Sequence, residues 1–291
     1  MKITELLSSD KPTLSFEVFP PKTAQGYESV RSAALEIAKL RPSFMSVTFG
    51  AGGGSRSRFT LDISTEIQNE TNVPALTHFT CVASTKEGVD EALAAMKERG
   101  LENVLALRGD LPKDMDSIPE GVPFRHANEL TAYISERTDF CIGGACYPEC
   151  HPEAANKKED IANIRKKVEA GCGFLTTQMF FDNSIMYNYL YRLRDAGIEV
   201  PVCAGIMPIT NIKQVETSRQ LSGCIMPAKF TALVDRFGDD PKAMTQAGIA
   251  YATEQIIDLI ANGVNHIHVY SMNKPSVAKA IRDNLSDIIV L

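Results

Sequence analysis

Short apolar runs alternate with amphipathic segments along the whole chain. Eight apolar runs with the length and composition of buried strands lie at 14–19, 44–49, 75–81, 103–107, 141–147, 174–180, 201–207 and 266–271. Each is followed by a segment whose apolar residues recur with helical spacing, at 27–40, 58–70, 85–99, 126–136, 157–171, 184–196, 211–221 and 275–285. Because these two periodicities distinguish strands from helices, the pattern predicts eight strand–helix repeats.

Eight such repeats predict an α/β fold of the (β/α)8, or TIM barrel, type, and 291 residues suffice for one. An extra helical segment, at about 228–262 with a turn at 238–241, lies before the last strand. A doubly wound open sheet is the alternative, but no G-x-G-x-x-G motif follows the first strand. The glycine-rich segment 50–54 also has the wrong spacing for a phosphate-binding loop, and we expect a flexible loop over the barrel mouth. Residues 1–291 are expected to form a single catalytic domain.

Composition narrows the class of protein. Hydrophobic residues at 44% and charged residues at 23% are ordinary for a globular enzyme, and a net charge of −6 without a basic cluster argues against nucleic-acid binding. We find no signal peptide and no apolar run long enough to span a membrane. The seven cysteines, scattered through apolar segments, are expected to be reduced and mostly buried. These features together predict a cytoplasmic enzyme.

Charged residues follow the fourth predicted strand at Arg108-Gly109-Asp110. In a barrel the carboxyl ends of the strands form the active-site face, so this position favours a functional role. Arg108 could bind an anion, Gly109 would allow close approach of a ligand to the backbone, and Asp110 could orient a reactive group. An ion-paired turn without a ligand remains an alternative.

Glu17 lies in the first predicted strand, within Phe16-Glu-Val-Phe-Pro-Pro21. A carboxylate between phenylalanines should be poorly solvated, which would raise its pKa and suit it to donate a proton near neutral pH. The alternative is a carboxylate paired with a buried base.

Other polar residues are predicted at the ends of the remaining strands. Tyr147-Pro-Glu-Cys-His-Pro152 places an aromatic ring, a carboxylate and an imidazole in one loop, and Gln178 needs partners for a buried amide. Thr48 and His78 lie on the second and third strands; His78 alone would be read as a core histidine. Tyr270 lies on the eighth predicted strand, with Lys274 four residues on. A zinc site at Cys146, Cys150 and His151 has unsuitable spacing, so no metal is expected.

Six of these segments, in this order, resemble the methylenetetrahydrofolate reductases, specifically the bacterial single-domain type. The resemblance covers nearly the whole chain. The segments are Phe16-Glu-Val-Phe-Pro-Pro21, Ser46-Val-Thr-Phe-Gly50, Leu76-Thr-His-Phe-Thr-Cys81, Leu107-Arg-Gly-Asp-Leu-Pro112, Tyr147-Pro-Glu-Cys-His-Pro-Glu153 and Thr177-Gln-Met-Phe-Phe-Asp182. The single-domain type implies that no regulatory domain and no control by S-adenosylmethionine should be expected.

The resemblance implies a barrel that binds FAD at the carboxyl ends of its strands. It also implies hydride transfer from NAD(P)H through FAD to 5,10-methylenetetrahydrofolate in a ping-pong mechanism, giving 5-methyltetrahydrofolate for methionine biosynthesis. The implied cofactor-binding residues are Thr48, His78, Arg108, Gly109, Asp110, Ala145, Tyr147, His151, Asp160, Asn163, Lys166 and Lys167. Without the resemblance, Lys166 and Lys167 would be read as a solvated helix face.

The same resemblance implies roles for the substrate-facing residues. Glu17 would be the general acid that opens the five-membered ring of the folate, Asp110 would tune the flavin and orient the folate, and Gln178 would contact both alternating substrates. The implied substrate-binding residues are Glu17, Gln178, Gln214, Tyr270 and Lys274.

The chain departs from the family pattern at three positions. Lys274 stands where enterobacterial enzymes have arginine, Ser218 replaces a phenylalanine, and Ala127 stands where a tyrosine is usual. A lysine gives a point-charge contact in place of a bidentate grip. A homo-oligomer is expected. The alternatives are an FAD- and folate-binding subunit that needs an electron-donating partner, a flavin-independent reductase, and an unrelated barrel enzyme with a phosphate ligand.

Overall fold

Eight parallel strands form a closed barrel in the structure, a computed structural model that describes residues 1–49, 55–82, 84–110, 118 and 121–290. Each strand pairs with its neighbours in sequence, and the first pairs with the last from Thr13 opposite His266 to Glu17 opposite Tyr270. The strands are β1 (Thr13–Val18), β2 (Met45–Val47), β3 (Ala75–Thr80), β4 (Asn103–Leu107), β5 (Cys141–Cys146), β6 (Phe174–Thr177), β7 (Val202–Ile206) and β8 (His266–Tyr270).

Helices follow the strands and cover the outside of the barrel, except for α1, which precedes β1. They are α1 (Ile3–Leu7), α2 (Tyr27–Ala38), α3 (Ser55–Thr71), α4 (Lys86–Glu98), α5 (Ala127–Ser135), α6 (Lys157–Glu169), α7 (Asn183–Asp195), α8 (Ile212–Ser222), α9 (Ala228–Phe237), α10 (Pro241–Ala261) and α11 (Pro275–Asn284). None of these helices is both long enough and apolar enough to cross a bilayer.

The predicted fold is confirmed, including the extra helical segment, which is α9 and α10 separated by a turn. The sequence did not predict α1, and the predicted sixth strand was too long: β6 ends at Thr177, so Gln178 lies in the following loop. Thr48 and Tyr147 likewise follow β2 and β5 directly. The predicted glycine-rich loop at 50–54 lies outside the described residues.

Alternation along the strands separates the barrel interior from the layer beneath the helices. On β1, Leu14, Phe16 and Val18 belong to the apolar layer that packs against the helices, whereas Ser15 and Glu17 make their contacts across the interior. This follows from the two-residue period of a strand, which sends successive side chains to opposite faces. The carboxylate of Glu17 is therefore held at the centre of the barrel by the strand itself.

The amino-terminal end of the barrel is apolar and closed. Ile3 and Leu7 of α1 pack in one cluster with inward-facing strand residues, including Phe44, Leu105 and Phe174. The backbone N–H of Ile3 donates to Oδ1 of buried Asn103, 2.9 Å away. Since α1 seals this end, the polar residues at the other end of the strands are the ones that a ligand could reach.

At the carboxyl end, the segment after β8 is bound to the end of β1. Ser271 Oγ donates to the carbonyl of Glu17, and the Asn273 amide both accepts from the N–H of Phe19 and donates to its carbonyl, at 2.9 Å each. Met272 and Asn273 both have φ of 53°, a left-handed conformation that non-glycine residues adopt rarely. The hydrogen bonds hold this conformation and fix the position of Lys274.

Candidate active site

Two groups of polar side chains lie at the carboxyl end of the barrel. The first, which we call the central cluster, consists of Ser15, Glu17, Ser46, His78 and His268, from β1, β2, β3 and β8. The second, which we call the rim cluster, lies around the ends of β4 and β5 and along α6. It contains Arg108, Tyr147, His151, Glu153, Asp160 and Lys167.

Glu17 is the centre of the first group. Its Oε2 lies 3.4 Å from Nε2 of His78 and 3.7 Å from Nε2 of His268, and it accepts a hydrogen bond of 3.3 Å from Ser46 Oγ. Its side chain is 19% exposed, so the carboxylate is largely enclosed while still open to the barrel mouth. A carboxylate placed in this way can exchange a proton with a bound ligand.

The predicted direction of the Glu17 pKa was wrong. Burial does raise the pKa of this carboxyl, but the interactions with His268, His78 and Ser46 together outweigh burial and lower it below its ordinary value. The prediction failed because it considered only the neighbours in sequence, which are apolar, and not the imidazoles that β3 and β8 bring to the same point. The structure thus agrees with the alternative of a carboxylate beside a buried base, and Glu17 is ionised at neutral pH.

His78 is the neutral member of the central cluster. Burial lowers its pKa to about 4, although the charge of Glu17 acts in the opposite direction. Its Nε2 is buried and makes no hydrogen bond with any described residue. Its nearest polar neighbour is the Glu17 carboxylate, at 3.4 Å. Buried polar atoms are nearly always hydrogen-bonded in folded proteins, so a nitrogen without a hydrogen bond beside Glu17 fits a group that contacts a ligand.

The rim cluster joins the ends of β4 and β5. Arg108 Nη2 donates to Glu153 Oε1 at 2.7 Å, and a second guanidinium nitrogen pairs with the other carboxylate oxygen. Arg108 is therefore ion-paired, but with Glu153 of the next loop and not within its own turn. The Tyr147 and His151 rings meet edge to face, with centroids 4.6 Å apart. Burial raises the pKa of Tyr147 and lowers that of His151.

Helix α6 presents an acid and two lysines to this rim. Asp160 is 3% exposed, burial raises its pKa, and its Oδ2 makes no hydrogen bond with any described residue. Lys167 donates to the carbonyl of Ala145 at 2.7 Å, and Lys166, which is exposed, donates to Oδ1 of Asn163 at 3.0 Å. Since an ammonium has three donors, both lysines keep protons for a further acceptor.

At Gly109, just after β4, the backbone runs very close to β3. Its φ is +86°, and a Cβ at this position would lie 2.8 Å from Cβ of Thr80. Only glycine meets both conditions, so the chain passes close to β3 and leaves the backbone uncovered. Asp110 beside it is exposed, and Thr48 is half-buried across the mouth after β2.

The groups around the rim can be compared with the parts of FAD that they would have to bind. A buried carboxylate with one unpartnered oxygen suits a ribose hydroxyl, spare lysine donors suit a diphosphate, and an uncovered glycine backbone near Tyr147 suits a flat ring. These groups lie on α6 and in the loops after β4 and β5. The donor set therefore fits the cofactor that the sequence implies.

The other predicted substrate residues lie at or after the ends of β6 and β8 and on α8. The half-buried Gln178 donates its N–H to the carbonyl of Cys146, while its side-chain oxygen accepts from the N–H of Met179. Tyr270 donates to the carbonyl of Thr177, and burial raises its pKa well above the ordinary value. Tyr270 is opposite Glu17 in register, so its ring lines the cavity beside the carboxylate.

Gln214 and Lys274 are linked through Thr210. Lys274 Nζ donates to Thr210 Oγ1 at 2.7 Å, and Gln214 Oε1 accepts from both the N–H and the hydroxyl of Thr210 and from Asn211 Nδ2. The Gln214 oxygen is therefore fully used in holding the start of α8, which leaves its amide nitrogen for a ligand. Ser218, further along α8, is buried with no hydrogen bond to its Oγ among the described residues.

Sequence reasoning missed three residues of the central cluster, Glu153 of the rim cluster and, beside the rim cluster, Arg192. Ser15, Ser46 and His268 lie in apolar strands whose alternation could have placed them inward, and the pair His266 and His268 shares one face of β8. Arg192 of α7 gave no signal in the sequence. Its guanidinium donates to the carbonyl of Pro148 at 2.9 Å and so supports the loop that carries Tyr147 and His151.

Comparison with known proteins identifies relatives of the whole barrel. The model of the family described as methylenetetrahydrofolate reductase matches residues 2–286. The 5,10-methylenetetrahydrofolate reductases of Pectobacterium carotovorum and Escherichia coli are 34% and 33% identical, over 92% of this chain and 88% of theirs. Methylenetetrahydrofolate reductase 2 of Saccharomyces cerevisiae is 36% identical over 98% of this chain, which spans about half of the yeast protein.

A solved structure shares the fold. It is a Clostridium thermocellum protein described as binding two copies of 5-methyl-5,6,7,8-tetrahydrofolic acid, with a TM-score of 0.67, 13% identity and 99% coverage of both chains. At this identity the likeness concerns the fold alone.

Proposed function

The chain belongs to the methylenetetrahydrofolate reductase family, and we propose that it reduces 5,10-methylenetetrahydrofolate to 5-methyltetrahydrofolate. The observation that carries the proposal is the family match over residues 2–286 together with a carboxylate, Glu17, at the centre of the barrel mouth. The groups around Glu17 form two sets, one suited to binding a cofactor and one suited to binding a substrate. An oxidoreductase that uses a cofactor needs both.

FAD is the proposed cofactor, and when bound it carries hydride from NAD(P)H to the folate in two half-reactions of a ping-pong cycle. Asp160 and Asn163 would hold the ribose, Lys166 and Lys167 the diphosphate, and Gly109 would allow the flavin ring to approach. The remaining proposed contacts surround the ring. They are Thr48, His78, Arg108, Asp110, Ala145, Tyr147 and His151.

Glu17, Asp110 and Gln178 are the proposed catalytic residues. Glu17, which is ionised at neutral pH, would take up a proton from solvent at the barrel mouth and give it to a ring nitrogen of the folate, so that the carbon–nitrogen bond breaks and its electron pair stays on that nitrogen. Asp110 would orient the pterin, and Gln178 would contact each substrate in turn. Tyr270, Lys274 and Gln214 would bind the folate, with the ammonium of Lys274 facing a carboxylate of its tail.

We further propose that residues 1–291 act as one catalytic unit, in a reducing compartment such as the cytoplasm. All seven cysteines are free thiols, and six of them are buried. Assembly into a homo-oligomer is part of the same proposal.

Substitution of Glu17 tests the assigned chemistry. We expect Glu17→Gln to bind flavin and to be reduced by NAD(P)H at close to the wild-type rate, but to lose about 10²-fold or more in folate turnover. Flavin absorbance and separate measurement of the two half-reactions provide the readouts. Glu36→Gln, an exposed change on α2, is the matched control. Loss of bound flavin or retention of folate turnover in Glu17→Gln would contradict the role.

A further inference from the structure

Arg192 of α7 contacts the loop after β5, residues 147–151, which we call the rim loop, yet the proposed function gives it no role. Its guanidinium donates twice, from Nη2 to the carbonyl of Pro148 at 2.9 Å and from Nε to Oδ1 of Asn188 at 3.1 Å. The guanidinium carbon lies 5.4 Å from the centre of the Tyr189 ring, within the range of a cation–π contact. Since Tyr189 is fully buried, the guanidinium is anchored in the protein and not in solvent.

The rim loop contains a rare backbone conformation next to the residue that Arg192 binds. Cys150 has φ of 146°, which non-glycine residues seldom adopt. Before it, the Pro148 carbonyl accepts from Arg192, and after it, His151 Nδ1 accepts from the N–H of Glu153 at 3.1 Å. Such a conformation persists only where its surroundings hold it. The bond from Arg192 is therefore one of the restraints that keep the rim loop in place.

Arg192 also acts on the buried carboxylate of Asp160. Asp160 is 3% exposed, and its Oδ2 makes no hydrogen bond with any described residue. Nη1 of Arg192 is likewise buried and without a hydrogen bond in the described part of the chain. Burial raises the pKa of Asp160, whereas the charges of Lys167 and Arg192 and the backbone N–H of His151 lower it. The guanidinium thus stabilises the ionised carboxylate.

Arg192 is the cation beside Asp160 whose charge does not depend on pH. The titratable and charged groups around Asp160, among the described residues, are Lys167 of its own helix, Arg192 and Tyr189 of α7, Cys146 of β5, and Tyr147, Cys150 and His151 of the rim loop. Burial raises the pKa of both tyrosines and both cysteines, so these four groups are neutral. Burial lowers the pKa of Lys167 and of His151, whereas a guanidinium stays charged throughout the pH range of a folded protein.

We propose that Arg192 is a positioning residue for the cofactor, which holds the rim loop through Pro148 and presents a fixed positive charge to Asp160. The inference rests on the proposed function, in which Asp160 binds the ribose while Tyr147 and His151 contact the flavin ring. Arg192 acts through these groups, without a contact of its own with the cofactor. One residue of α7 thereby supports both ends of the binding site.

Titration with FAD, followed by flavin fluorescence at about pH 6 and 8, tests the effect on binding. We expect Arg192→Met to weaken FAD binding about tenfold or more, and by a larger factor at the lower pH. Without the guanidinium Asp160 takes up a proton at higher pH, and a protonated carboxyl is the weaker acceptor for a ribose hydroxyl. Arg192→Lys should restore the wild-type pH dependence but only part of the affinity, because an ammonium lacks the planar fork. Arg194→Met, an exposed change on the same helix, is the matched control.

Hydrogen–deuterium exchange tests the restraint on the rim loop in the flavin-free full chain. The amides of residues 147–155 should exchange about tenfold faster in Arg192→Met than in the wild type, while those of α4 stay unchanged. Arg194→Met should match the wild type in both segments.

Wild-type exchange in the rim loop, or a wild-type FAD affinity, in Arg192→Met would overturn the proposal. So would a loss of affinity that is equal at both pH values and is not recovered in Arg192→Lys, since a purely structural residue would give that result.

The two measurements separate the inference from its premise. If the wild-type chain binds no FAD, the proposed cofactor fails, and the exchange experiment still decides whether Arg192 holds the rim loop.

Discussion

At the scale of single residues, the site depends on which neighbours the fold brings to a side chain. Glu17 has apolar neighbours in sequence, yet its pKa is lowered because β3 and β8 place two imidazoles within 4 Å of it. Residue type and strand position were enough to identify Glu17 and Gln178 as candidates, whereas His78 became one only through the family resemblance. The protonation state of Glu17 was not predictable, because it depends on His268 and Ser46, which are distant from Glu17 in sequence.

Acid should destabilise the protein through His78. Its pKa is about 4 in the folded chain, against an ordinary 6.5, so the unfolded chain takes up the proton first as the pH falls. Stability is therefore lost between about pH 6.5 and 4, and this one group accounts for about 2 kcal/mol between pH 7 and 5.

Denaturant unfolding at pH 7 and 5 measures this effect. His78→Gln should lose about 2 kcal/mol less stability over that interval than the wild type. The exposed His126→Gln should keep the wild-type dependence. An equal acid loss in His78→Gln and the wild type would show that His78 is not buried in its neutral form.

At the scale of elements, periodicity predicted the eight strands and their helices because each buries one face or stripe. The short α1 was missed since five residues give too little periodicity, although it closes the bottom of the barrel. The end of β6 was predicted too far along the chain, because the apolar residues Met179 and Phe180 follow the strand. Met179 packs in a separate apolar cluster, and Phe180 packs in the main core. The periodicity of apolar residues also did not show where a helix packs closely against a loop.

One such contact, between α10 and the loop after β7, fixes the position of Thr210, which binds Lys274. Gly248 of α10 packs so tightly on the backbone after β7 that a Cβ would lie 1.7 Å from the carbonyl oxygen of Ile209, next to Thr210. We therefore expect Gly248→Ala to destabilise the protein by about 3 kcal/mol and to weaken folate binding.

The control for this prediction is another helical glycine. Gly88 of α4 is exposed, and a Cβ there would meet only Thr85 Oγ1 at an ordinary 3.5 Å. Gly88→Ala should stabilise the protein by about 0.5–1 kcal/mol through helix propensity. Thermal unfolding of both variants measures the difference, and a neutral Gly248→Ala would contradict the described packing.

At the scale of the whole molecule, barrel closure brings the two ends of the chain together at the site. β1 supplies Glu17 and β8 supplies His268 and Tyr270, while β4, β5 and α6 supply the rim opposite them. The order of motifs was sufficient to predict this architecture and the family. The contacts between neighbouring loops, such as Arg108 with Glu153 and Lys274 with Thr210, join residues that are distant in sequence and had no local signal in the sequence.

The visible spectrum of the purified protein, followed under anaerobic conditions, shows whether the chain is a self-sufficient flavin reductase. We expect a flavin band that bleaches when NADH or NADPH is added and returns when methylenetetrahydrofolate follows. A flavin that neither NADH nor NADPH reduces, but that the folate reoxidises after chemical reduction, would indicate a missing electron-donating partner. A protein that stays colourless after incubation with FAD would contradict the account.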